Sequence, residues 1–281
     1  MPFAGDKRIF LAEQFYDETD SVLRPLHRQY IRMCLDELKD QPNVVHLISA
    51  EYTGPLHFTR FWLQTIDQWE RETGRRPLVA LSCTRDAQDS IMDDPRLSTV
   101  VDIIDIRYWH YNTQGLWAPR AGRNMAPRQW MRKERVGKTT FAEAYKAVSE
   151  MRQRYPDKAV TFFAQQYPQY GWAILMAGGS LPNVPMRPGD GLPYHDDLLR
   201  DIPHMNTVEG KGCVALGGTN GYLLYALADT VSIGVESGSY ALMAINATTG
   251  QVTMQQKKIT LGTLFTTGAA RPGHLLWLRR R

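Results

Sequence analysis

The sequence predicts an α/β protein built on a largely parallel sheet, followed by a small all-β sandwich. Up to about residue 180, short apolar runs alternate with amphipathic helical stripes, which is the pattern of successive strand–helix–strand units. From Gly212 onward, β-prone segments are separated by turn signals at Gly217-Gly218-Thr219-Asn220-Gly221, Ser237-Gly238, Thr249-Gly250 and Pro272-Gly273. No helical stripe interrupts them, so they read as an antiparallel sandwich. Between the two, Pro182, Pro185, Pro188 and Pro193 open a linker. The predicted domains are residues 1–181 and 212–281, joined by a Pro/Gly-rich stretch over 182–211.

Taken in order, Arg8–Phe15 reads as a strand. Leu23, Leu26, Tyr30, Ile31, Cys34, Leu35 and Leu38 then recur at helical spacing. The run Val44-Val45-His46-Leu47-Ile48-Ser49-Ala50, bounded by Pro42-Asn43 and Gly54-Pro55, is a short buried strand that carries Glu51 at its tip. Phe58, Phe61, Trp62, Ile66 and Trp69 form the next helical stripe, stopped at Gly74. Leu78–Thr84 is a third strand, Asp86–Leu97 a shorter helical connection and Val100–Tyr111 a fourth strand. A polar loop runs from Asn112 to Lys138, and a helix over Thr139–Tyr155 sets Phe141, Tyr145 and Val148 inward. Ala159–Ala164 and Trp172–Ala177 are the fifth and sixth strands. In the sandwich, strands are expected at Tyr222–Leu227, Val231–Val235, Tyr240–Ile245 and His274–Leu278.

Composition removes several function classes. An apolar fraction of 43% with 22% charged residues is that of an ordinary globular chain. No apolar run reaches membrane-spanning length, and the N-terminus lacks the long apolar stretch of a signal peptide, so the chain as written is expected in the cytoplasm. Cys34, Cys83 and Cys213 are widely spaced, with no Cys/His cluster to hold a metal; no metal or other cofactor is expected. A net charge of +4 over 281 residues gives no footprint for nucleic acid. Val136-Gly137-Lys138-Thr139-Thr140 imitates the end of a phosphate-binding loop, but Arg132 stands where that loop needs its first glycine.

Three stretches carry a resemblance: Ile48-Ser49-Ala50-Glu51-Tyr52-Thr53-Gly54-Pro55, Asp102–Tyr111 and Gly171–Ser180. Together they resemble a group of bacterial glycoside hydrolase-like proteins with a (β/α)8 barrel and an appended β-sandwich. The C-terminal Ala244–Gly250 and Leu275-Leu276-Trp277-Leu278 are similar to that sandwich. The resemblance implies a TIM-type barrel in which the Glu51 strand is the fourth, so that the first two βα units are absent and residues 1–181 form the catalytic portion. The other reading of the same strands is an open six-stranded α/β sheet. Relatives of this kind are expected in the periplasm or outside the cell.

The resemblance also implies chemistry. In retaining barrel glycosidases a Glu at the fourth strand is the acid/base, which matches Glu51. A second Glu on the seventh strand is the nucleophile, yet the strand at 159–164 ends in Gln165-Gln166, and a glutamine cannot form the glycosyl ester. Ala50 likewise stands where the clan has Asn. Alternation on the fourth predicted strand puts Asp105, Arg107 and Trp109 on one face, toward the mouth. Glu51 and Asp105 are therefore the candidate catalytic residues, with Glu13, Arg107, Trp109, His110, Gln165 and Arg128 as candidate substrate ligands. Trp109 and His110 suit sugar stacking and hydroxyl recognition. Arg128 belongs to a loop that also holds Arg120, Arg123, Arg132, Lys133, Arg135 and Lys138, a composition that favours an acidic glycan. The expected partner is a polysaccharide or oligosaccharide of bacterial, plant or algal origin. The alternatives are a non-catalytic carbohydrate-binding descendant and an inactive fragment.

Overall fold

The computed structural model describes residues 14–48, 54–122, 135–163, 170–186, 189 and 193–281, and the chain divides into two compact units, Met1–Phe163 and Ala164–Arg281.

The first unit opens with α1 (Leu23–Leu38), whose start is fixed by the Asp20 carboxylate accepting from the backbone N–H groups of Val22 and Leu23, both at 2.8 Å. Ile31 and Leu35, one turn apart, are its buried stripe. Then follow β1 (Val45–Ile48), α2 (Leu56–Thr73), β2 (Leu78–Leu81), α3 (Arg85–Met92) and β3 (Ile103–Ile106). The helix α2 buries Phe61, Leu63, Ile66 and Trp69, and ends where Gly74 turns left-handed, φ 68°, and donates to the Glu70 carbonyl. A two-stranded ribbon, β4 (His110–Asn112) and β5 (Gly115–Trp117), leads toward α4 (Phe141–Arg154) and β6 (Ala159–Phe162). Thr140 caps α4 by accepting from the Glu143 N–H.

The strands β1, β2, β3 and β6 form one parallel sheet in that spatial order. Register and alternation sort its side chains onto two faces. Ile48, Val79, Leu81, Ile104, Ile106, Val160 and Phe162 share one face and are all buried. The opposite face is different: Val45, Leu47 and Leu78 are 42%, 37% and 42% exposed, and Ile103, Ala159 and Thr161 are half-buried. Only toward the C-terminal ends of the strands does this second face close over Ser82 and Asp105.

The second unit contains α5 (Gly171–Met176), α6 (Pro193–Asp201) and two antiparallel sheets. Strand order is β13 (Val252–Leu261), β12 (Gly238–Asn246), β15 (His274–Arg280), β10 (Gly221–Ala226), β9 (Cys213–Gly218), β7 (Asn206–Val208) in one sheet. In the other it is β14 (Leu264–Thr267), β11 (Val231–Gly234), β8 (Gly210–Lys211). Both sheets feed one core, in which Leu224, Leu242, Leu276 and Leu278 meet Val231, Ile233 and Phe265.

Four expectations are corrected. The predicted sixth strand is the helix α5: Gly171, Trp172, Ala173, Ile174 and Met176 are buried with no alternation, and a short all-apolar run serves a buried helix as well as a strand. Its glycine is required, because a Cβ at Gly171 would lie 1.7 Å from the Asn183 carbonyl oxygen. Gln14 and Phe15, the end of the predicted first strand, are helical, and the rest of that run lies outside the described residues. The long fourth strand is only β3, with a 3-10 turn at Ser98–Val100 before it and the ribbon after it. Within 182–211 the chain also forms α6, β7 and β8.

A carboxylate–arginine cluster at the strand ends

Asp105 sits near the C-terminal end of β3, and the register sets it beside Thr161 of β6. Ser82, the residue after β2, completes a polar row across three adjacent strands. Asp105 Oδ2 accepts from Ser82 Oγ at 2.7 Å, and Oδ1 accepts from Thr161 Oγ1 at 2.8 Å. Two residues on, Arg107 folds back and donates from Nε to Asp105 Oδ2 at 2.7 Å. Its guanidinium carbon lies 4.3 Å from the centre of the Phe163 ring, in cation–π contact. Asp105 is 4% exposed, whereas the Arg107 side chain keeps 22% of its surface. Among the described residues neither terminal nitrogen of Arg107 has a hydrogen-bond partner. The expected pairing of Asp105 and Arg107 on one face is therefore present. With three donors on its two oxygens, the carboxylate serves as a fixed acceptor that aims the guanidinium.

Trp109 is elsewhere, because the strand ends at Ile106 and the alternation that would have kept it beside Asp105 stops there. It is 1% exposed, with the Arg85 guanidinium 4.4 Å from its ring centre and its indole N–H donating to Gln88 Oε1 at 3.0 Å. An enclosed ring has no face to offer a sugar. His110 is also buried; its Nε2 pairs with the Gly137 carbonyl at 2.9 Å, and its ring lies 5.2 Å from that of Trp117. Burial lowers the His110 pKa below the ordinary imidazole value, and the bond to Gly137 only partly opposes that. Such an imidazole supports the ribbon and the segment before α4.

Glu51, Glu13, Gln165 and Arg128 lie outside the described residues, as do Arg123, Arg132 and Lys133 of the basic loop.

The residues that sequence reasoning missed are the supports. Ser82 and Thr161 are polar groups in otherwise apolar strands, a signal that was present in the text of the chain. Gln88 of α3 donates to the Leu81 and Asp105 carbonyls at 2.9 and 3.2 Å, locking the helix to the ends of β2 and β3. Outside it, Arg85 bonds Asp89 at 3.0 Å and Glu150 at 2.5 Å, and Tyr111 donates to Glu150 at 2.6 Å. Burial raises the Glu150 pKa, but the bonds from Tyr111 and then Arg85 outweigh it and hold the carboxyl below its ordinary value.

Among the described residues no group of three or more His, Cys, Asp or Glu is placed to hold a metal, and no helix is long and apolar enough to cross a membrane. Residues 1–195 match the sequence model of a family described as Domain of unknown function (DUF6298). No curated protein matches the chain.

Proposed function

The chain belongs to the DUF6298 family, and from the cluster at its strand ends we propose that it is a carbohydrate-active protein derived from a glycoside hydrolase. In this reading the parallel sheet is a portion of a (β/α) barrel, and Glu51 is the general acid/base. The observation that carries it is the Ser82–Asp105–Thr161–Arg107 cluster, because the C-terminal ends of parallel strands are where α/β folds bind ligands. The half-open face with Val45, Leu47 and Leu78 supports the barrel, whose interior would enclose such side chains. Glu51 would give its proton to the glycosidic oxygen as the bond to the anomeric carbon breaks. Asp105, held by three donors and paired with Arg107, suits fixing Arg107 at the site better than it suits attack.

A second reading is a binding protein without hydrolysis. It is favoured by the donors bound to both Asp105 oxygens and by Gln165-Gln166 where a nucleophile would stand.

The test is reducing-end release from a panel of neutral and acidic polysaccharides, comparing the parent chain with Glu51→Gln. Hydrolysis by the parent, lost in the variant while glycan binding persists, is the expected result. Binding without release by either protein selects the second reading, and equal release by both removes Glu51 from the mechanism.

A further inference from the structure

Resting on the carbohydrate reading, we propose that Arg107 is the residue that selects a carboxylate-bearing sugar, gripping a monoanionic carboxylate with its two terminal nitrogens. A guanidinium is a planar fork of donors that matches a carboxylate through paired hydrogen bonds. An arginine tied to a buried acid through one edge is immobilised, so little rotamer freedom is lost when its remaining edge takes a ligand. Arg107 fits that description: Nε is committed to Asp105 at 2.7 Å, the guanidinium lies against Phe163, and among the described residues both terminal nitrogens are unpartnered.

The charge count sets the kind of anion. Arg107 and Asp105 neutralise one another, and no described lysine or second arginine joins the cluster. A phosphate or sulfate-rich ligand would call for several cations, whereas a single carboxylate asks for one oriented fork. Beside the fork lies the Phe163 ring, an apolar surface that suits the C–H face of a sugar ring better than a second anionic group. The ligand class is therefore a uronic-acid oligosaccharide.

The experiment measures binding of the full chain, Arg107→Gln and Arg107→Lys to oligogalacturonate, oligoalginate and a glucuronate-bearing xylo-oligosaccharide. Each is paired with its carboxyl-reduced, neutral counterpart. The parent should bind at least one acidic form about ten- to hundredfold more tightly than its reduced form, the range expected for charge-assisted hydrogen bonds. Arg107→Gln should erase that ratio, weakening the acidic form far more than its reduced counterpart. Arg107→Lys, which keeps the charge and loses the fork, should also lose most of it. A preference that survives in Arg107→Gln, or equal binding of acidic and reduced forms by the parent, overturns the role of Arg107 and leaves the carbohydrate reading standing. Failure of the parent to bind any member of the panel removes that reading, and the inference with it.

Discussion

Asp105 shows how one carboxylate organises the end of a sheet. Buried acids are tolerated when their oxygens find donors, and here Ser82, Thr161 and Arg107 supply one donor each from three neighbouring strand ends. Truncating the acid would strand two hydroxyls and a guanidinium at once. Asp105→Ala should therefore cost about 2–4 kcal/mol, and Ser82→Ala only about 1 kcal/mol, because Asp105 keeps two donors. Chemical denaturation at an unchanged m-value measures both. An Asp105→Ala variant as stable as the parent would mean that the cluster is a loose surface group. The same logic explains why Trp109 and His110 are unavailable to a ligand. Their polar atoms are satisfied by Gln88 and Gly137, and their rings are enclosed by neighbours.

At the scale of elements, the parallel sheet has two unlike faces. Leu81 and Ile104 are fully buried on one, while Leu47 and Leu78 retain more than a third of their surface on the other. Leu81→Ala or Ile104→Ala should each cost about 2–5 kcal/mol by opening a cavity. Leu47→Gln and Leu78→Gln should stay within about 0.5 kcal/mol of the parent. Thermal melts of the four variants check this, and large losses from the glutamine variants would show that the second face is covered.

The parallel strands were legible in the sequence because each is a short apolar run. Leu78–Leu81 and Ala159–Phe162 appear within the predicted spans. The stripe ending at Gly74 likewise became α2. The run at Trp172–Ala177 misled because uniform burial removes the periodicity that separates helix from strand. Asp105 and Arg107 could be paired by alternation, but Trp109 could not, since nothing in its own residue type marks the end of β3 at Ile106. Ser82 and Thr161 stood out as polar groups in apolar strands, but their meeting at Asp105, like the role of Gln88, needed the register between strands, which local sequence does not encode.

At the scale of the whole molecule, the two units differ in architecture. The first carries the carboxylate–arginine cluster at its strand ends. The second is an antiparallel pair of sheets on a closed apolar core, an architecture that hosts many unrelated functions. The proposed ligand site lies in the first unit. The direct measurement is an NMR titration of the full chain, isotope-labelled, with whichever panel oligosaccharide it binds, following backbone amides and the Arg107 Nε–H signal. Shifts should gather at Ser82, Asp105, Arg107, Thr161 and Phe163, with the Arg107 signal among the largest. Shifts confined to residues of Ala164–Arg281, with the Arg107 signal unmoved at saturation, would contradict the account and transfer the binding site to the second unit.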